Sequence, residues 1–196
     1  MCSGSSASAL RQTSIMKEQY FKKPLHTPAH LFLSDYYYFI TAGCYQKKPY
    51  ADCDIKKEFL YKTICEELNR YFSELHGWVV LDNHYHILIK LKDAFLLPKL
   101  IQAIHSKSAI SINKMDKQPG RKVWYDYWDE CIRDQEDFYT KLNYIHLNPV
   151  KHGYVDDPSK YKFSSYHFYF KEKGEDRLKV LMRNHPIEKL KEGDDF

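Results

Sequence analysis

At 196 residues, with 43% hydrophobic and 16% aromatic side chains, the chain has the length and composition of one domain with a buried core, which excludes an intrinsically disordered polypeptide. A formal net charge of +4 tolerates a polyanionic partner without demanding one, and no stretch approaches the about 18 consecutive apolar residues of a membrane span. Five cysteines, odd in number and without a C-x-x-C pair, read as reduced thiols rather than as a disulfide frame or a zinc knuckle.

Residues 1–30 divide into a small polar stretch, MCSGSSASALRQTSI, and a lead-in bearing Lys17, Lys22, Lys23, Pro24 and Pro28. With no periodicity and no apolar signal-peptide core, they read as a flexible basic arm of a cytoplasmic protein. Tyr36–Tyr45, rich in aromatic and β-branched residues, predicts a strand. Its tyrosines suit either a base-stacking platform or, more simply, one buried sheet face. Asp54–His76 carries Ile55, Phe59, Ile64, Leu68, Tyr71, Phe72 and Leu75 at helical spacing. Asp52 or Asp54 is its expected cap, and Gly77 its expected end.

Gly77–Leu91, GWVVLDNHYHILIKL, comes next. Asp82-Asn83 suits a tight turn between two strands, although one long bent strand fits the pattern too. His84 and His86 are two residues apart, so on a strand both imidazoles project from one face. Two neutral imidazoles on one face are half of a divalent-metal site, or two satisfied histidines beside a core.

Leu96–Met115 predicts a second amphipathic helix, with Leu97, Leu100, Ile101, Ile104, Ile112 and Met115 inward. Lys107 and Lys114 on its other face, with Arg121 and Lys122 beyond the Pro119-Gly120 turn, form either a phosphate-tracking surface or a solvated one. Lys122–Ile132 predicts a strand. The acidic run Asp134–Asp137 opens a third helix, expected to close near Leu147 because Pro149 disfavours helix at Asn148. Asp157–Phe170 is expected to wrap back onto the domain, and from Lys171 to Phe196 seven basic and seven acidic residues form a charged tail without net charge. Strand, helix, strand, strand, helix, strand is the ferredoxin-like plan: an α+β fold with an antiparallel sheet, two helices on one face, and the histidine pair on a central strand.

Asn148 follows Tyr144 by four residues, so the two share a face if the third helix continues one more turn. An amide oxygen is a hard ligand for magnesium or manganese, and beside a metal a phenol of ordinary pKa about 10 becomes a usable nucleophile.

NHYHILI resembles the HUH motif (histidine, bulky hydrophobic, histidine) of the single-tyrosine transposases. KLNYIHLNPVKHGYV is similar to the nucleophile-bearing segment of the branch associated with repetitive extragenic palindromes, the REP-associated tyrosine transposases. The two motifs stand in the order and spacing of that family, and the strand at Lys122–Ile132, the entry at Asp134–Asp137 and Ser164-Ser165-Tyr166 fit as well. The resemblance covers about residues 31–170. It implies His84, His86 and Asn148 as ligands of Mg2+ or Mn2+ and Tyr144 as the nucleophile. It further implies cleavage and rejoining of single-stranded DNA beside a hairpin through a 5′-phosphotyrosine link. Lys107, Lys114, Arg121, Lys122 and Lys151 are the matching DNA-binding candidates, with His152 an additional approach to the site and His146 structural. The sequence departs from the pattern at Tyr85, where many relatives carry Val, and at Asp82, where relatives often have Pro; neither change removes a catalytic group. A monomer and a homodimer that exchanges the tyrosine helix both agree with the resemblance. Two further readings stay open: a catalytically silent nucleic-acid-binding protein, and a metal-dependent nuclease using water.

Overall fold

The computed structural model describes residues 34–187; the N-terminal arm and the end of the charged tail lie outside them. Four antiparallel strands, β1 (Tyr36–Cys44), β2 (Glu74–Val80), β3 (His84–Leu91) and β4 (Trp124–Cys131), form one sheet in the order β2-β3-β1-β4. This is the ferredoxin-like order. Two helices, α1 (Asp54–Arg70) and α2 (Leu97–Met115), pack on one face. There Tyr61 of α1 stacks on Trp78, and Tyr85 bonds His105 of α2 through its hydroxyl (3.1 Å). A third helix, α3 (Gln135–Lys151), lies on the opposite face, with Tyr37 edge-on to Phe138. Covered on both sides, the central strands are buried almost end to end, so β3 reads as a near-continuous apolar run and not as a clean alternation.

The hairpin is confirmed: Leu81 N–H donates to His84 O (2.9 Å) across Asp82-Asn83. α1, in contrast, stops at Arg70, six residues before the expected end. Phe72 takes a left-handed φ of 52° and is exposed, Ser73 N–H closes back on Leu68 O, and Leu75 already belongs to β2. Helical spacing of apolar residues simply ran on into a strand. Gly77 therefore ends no helix. It sits in β2 against α3, and a Cβ there would lie 2.8 Å from Leu142 Cδ1 and 3.2 Å from Ile145 Cδ1.

Nor does an aspartate cap α1. Cys53 holds the N-cap position without a side-chain bond, while Asp52 pairs with Lys56 (2.7 Å). The buried face of α1 includes Lys56, Lys57 and Glu67, each ion-paired (to Asp116, Asp82 and Lys107 respectively), whereas Ile55 points to solvent. Met115, expected inside α2, is also exposed.

α3 begins as expected, with Asp134 accepting from Asp137 N–H (2.9 Å). It then continues through Pro149 to Lys151, because a proline in the last turn forfeits little more than one backbone bond. The chain returns at Phe163–Ser165 to the outer edge of β2, where Val80 N–H donates to Phe163 O and Ser165 N–H to Trp78 O. Ser165 Oγ also meets His146 (3.1 Å), so His146 is a structural residue under the returning segment. Two short helices follow, α4 (Tyr166–Lys173) and α5 (Glu175–Asn184); Asn143 of α3 donates to Leu181 O and His185 O and ties α5 down.

His105, buried and stacked on Trp124 (4.6 Å, 11°), has its pKa pulled down to about 3 by burial. Unfolded, it takes up its proton near 6.5; folded, it resists protonation until about 3. Its contribution to stability is therefore complete above 6.5 and is lost as pH falls toward 3. The Tm difference between the parent chain and His105→Gln is expected to narrow on going from neutral to acid pH, as thermal melts across that range will show.

Candidate active site

The register sets the site. β1 and β3 pair with Thr41 opposite His86 and Gly43 opposite His84, so both imidazoles leave the sheet on the face that α3 covers. Tyr85, between them, points to the other face and packs edge-on to Trp124. Both histidines are at most 1% exposed, and Asn148 is fully buried. Asn148 Oδ1 lies 3.2 Å from His84 Nε2, and Asn148 Nδ2 lies 3.2 Å from His86 Nε2. The continuation of α3 through Pro149 is what brings this amide onto the Tyr144 side of the helix.

Each imidazole is oriented by its other nitrogen. His84 Nδ1 is 2.8 Å from Asn83 Oδ1, and His86 Nδ1 is 2.8 Å from Thr41 Oγ1. Asn83 Nδ2 donates to Lys47 O (3.4 Å), which leaves its Oδ1 to accept from His84 Nδ1–H. The His84 Nε2 lone pair then faces the Asn148 oxygen. Two acceptors set against each other in a buried place are what a cation would satisfy, and a second hydrogen bond fixing each ligand ring is the usual support of a metal site. Burial, then the nearby His152, draws the pKa of His84 down to about 3; burial and His84 hold His86 well below 6.5. Both rings are therefore neutral near pH 7 and keep their lone pairs. Among the described residues no three His, Cys, Asp or Glu side chains form a metal-holding group. The donor set available to a divalent ion is two imidazoles, which also suit zinc, and one hard amide oxygen.

Tyr144 stands one helical turn before Asn148, buried and edge-on to His86 (5.2 Å between ring centroids) and to Phe39 (6.0 Å). Phe39 in turn stacks on His86 (5.4 Å, 11°). Lys151 donates to the Tyr144 hydroxyl (3.3 Å) with its ammonium 5.0 Å from the ring centre. His152, the C-cap of α3, lies against His84 at 4.9 Å between centroids.

The structure thus brings together His84, His86, Tyr144, Asn148, Lys151 and His152. It does not bring the other DNA-binding candidates there. Lys107 is ion-paired with the buried Glu67 on the far side of the sheet. Arg121 is taken up by Asp116, Asn113 and the face of Tyr50. Lys122 lies over Tyr45 and Tyr125 (4.7 and 5.4 Å), and Lys114 is exposed at the end of α2. Three supporting residues escaped sequence reasoning: Thr41, Phe39 and Lys141, whose ammonium caps Phe39 (4.8 Å) while pairing with Glu130. Only the strand register could have revealed Thr41, and a sequence carries no register for partners 45 residues apart. Thr41→Val keeps the shape and removes the oxygen that steadies His86. It is expected to weaken divalent-metal affinity by about 10- to 100-fold, read by isothermal titration with Mn2+.

A family model described as "Transposase IS200 like" matches residues 32–147. A REP-associated tyrosine transposase of Escherichia coli (strain K12) is 31% identical over 96 residues, which is 48% of this chain and 54% of that protein. A Haemophilus influenzae protein provisionally given the same name is 32% identical over 119 residues, 55% of this chain and 65% of its own. The chain therefore spans between half and two-thirds of the length of these curated relatives. The solved structure of a REP-associated tyrosine transposase bound to a REP hairpin superimposes with a TM-score of 0.60 at 22% identity, over 72% of this chain and 82% of that one, a likeness of fold. With more than half of its length matched, and with His84, His86 and Tyr144 inside the matched span, the chain belongs to the IS200-like transposase family.

Proposed function

We propose that this chain cleaves and rejoins single-stranded DNA beside a hairpin, with Tyr144 as nucleophile and a divalent ion, Mg2+ or Mn2+, held by His84, His86 and Asn148. The observation that carries the reading is the meeting of both imidazole Nε2 atoms with the Asn148 amide, one helical turn from a tyrosine whose hydroxyl accepts from Lys151. The ion, when bound, would polarise a non-bridging oxygen of the scissile phosphate. Tyr144 Oη attacks phosphorus and gives its proton to water, and water returns one to the departing 3′ oxygen. The bond to the 3′ oxygen breaks, and that oxygen leaves as a hydroxyl once protonated. The 5′ phosphate stays on Tyr144. A 3′ hydroxyl reverses the step: it attacks the phosphotyrosine, the DNA bond re-forms and the phenol is released. One phosphodiester bond is exchanged for another, so no nucleotide cofactor is required. Lys151, beside the attacking oxygen, favours the developing negative charge on it.

The relatives' names and the hairpin in the solved relative support a palindromic hairpin as substrate. The test is covalent capture. Labelled single-stranded hairpins from the DNA flanking the gene are incubated with the protein and Mg2+ or Mn2+, then denatured. A shifted band that survives denaturation and disappears with chelator supports the proposal. Clean cleavage without the band would point to water as nucleophile, and hairpin binding with neither cleavage nor band to a silent binder.

A further inference from the structure

Two loops at the His84 end of the sheet pack against each other. Tyr45–Tyr50 follows β1, and Lys114–Val123 covers the last residues of α2 and its connection to β4. Tyr45 N–H donates to Val123 O (2.7 Å), Lys122 lies over Tyr45 (4.7 Å), and Arg121 lies over Tyr50 (4.3 Å). Asn113 grips Arg121 from both sides of its amide, donating to Arg121 O and accepting from Nε. The loops are thus a fixed platform. They carry Lys47, Lys48, Lys114, Lys117, Arg121 and Lys122 against one carboxylate, Asp116, which Lys56 and Arg121 already neutralise. Lys47, Lys48, Lys114, Lys117 and Lys122 are all exposed.

This platform is joined directly to the candidate metal site. Asn83 uses one end of its amide on Lys47 O and the other on His84 Nδ1. A polyanion seated on the lysines would therefore lie next to the turn that orients His84.

The aromatic residues say which polyanion. Surfaces for unpaired strands offer ring faces on which bases stack. Within the two loops Tyr50 is buried beneath Arg121 and Tyr45 is half-buried beneath Lys122; the exposed Tyr125 belongs to β4 and has Lys122 over one face. What remains for a ligand is an array of compact point charges, suited to phosphates whose bases are hidden in a duplex.

We infer that the paired loops Tyr45–Tyr50 and Lys114–Val123 are the seat of the duplex stem of the substrate hairpin, held through its phosphates by Lys47, Lys48, Lys114, Lys117 and Lys122. The inference rests on the DNA-hairpin reading proposed above. It places stem binding on a surface separate from the Tyr144 chemistry.

The test uses the full chain carrying Lys48→Glu, Lys114→Glu and Lys117→Glu together, three exposed positions whose loss leaves the core intact; an unchanged Tm verifies this. Fluorescence anisotropy in chelator compares a blunt DNA hairpin with an oligothymidine strand of the same length over a range of salt. The parent should prefer the hairpin. In the variant, hairpin affinity should fall at least tenfold at ~100 mM salt, and the slope of log affinity on log salt should drop by about 2–3, as expected for three lost phosphate contacts. Oligothymidine affinity should change little. Equal losses on both probes, no loss on either, or a parent without hairpin preference would each overturn the inference. Failure of the catalytic proposal would instead appear as a parent protein that binds the hairpin without forming an adduct, so the two failures are distinguishable.

Discussion

Tyr144→Phe should abolish the covalent adduct and the cleavage that accompanies it, while hairpin affinity stays within about twofold of the parent, since phosphate contacts dominate nucleic-acid binding. The substitution deletes one oxygen and leaves the ring between Phe39 and His86, so the packing of α3 on the sheet is preserved. Its hydroxyl accepts from the exposed Lys151, so removal leaves no buried ammonium unpaired. Stability should change by less than about 1 kcal/mol, the net worth of one such bond. A denaturing gel with end-labelled hairpin, beside a thermal melt, checks all three expectations. Adduct persisting in the variant would mean that another residue is the nucleophile. Cleavage without adduct would mean that water is.

The second large effect belongs to Asn148. Asn148→Leu keeps the branching and the number of heavy atoms but withdraws the amide that meets both Nε2 atoms. It is expected to lower cleavage by more than about 100-fold, consistent with loss of one ligand of a metal that polarises the phosphate, and to remove measurable Mn2+ binding. Asn148→Asp keeps a hard oxygen in place and adds a negative charge, so Mn2+ affinity should be retained or raised. The pair of variants separates a ligand from a packing residue: a purely structural Asn148 would make both substitutions equally damaging to Mn2+ binding. Electron paramagnetic resonance of added Mn2+ reads the difference directly.

Several features were legible because they are local. The HxH pair declares a shared strand face, Asp82-Asn83 a turn, Asp134 a helix start, and each holds in three dimensions. The order of elements is enough for the ferredoxin-like topology, since antiparallel neighbours and right-handed crossovers leave few alternatives. Where local reading failed, a long-range contact had overridden it. The apolar pattern of α1 continued past Arg70 because Tyr71 and Leu75 pack against other elements while Phe72 faces solvent. The buried Lys56, Lys57 and Glu67 broke the expected stripe because partners 60, 25 and 40 positions away neutralise them.

By itself, then, the sequence determined which chemical groups are present, two imidazoles on one strand face and a tyrosine with an amide four residues later, because the strand period is a property of neighbouring residues. Only the tertiary structure decided that these groups meet. The β1–β3 register sets Thr41 beneath His86, and the close approach at Gly77 lets α3 settle onto the sheet. The extra turn through Pro149 delivers Asn148 to both histidines. Each of these depends on how far apart two surfaces come to rest, which side-chain packing sets and no local sequence pattern encodes.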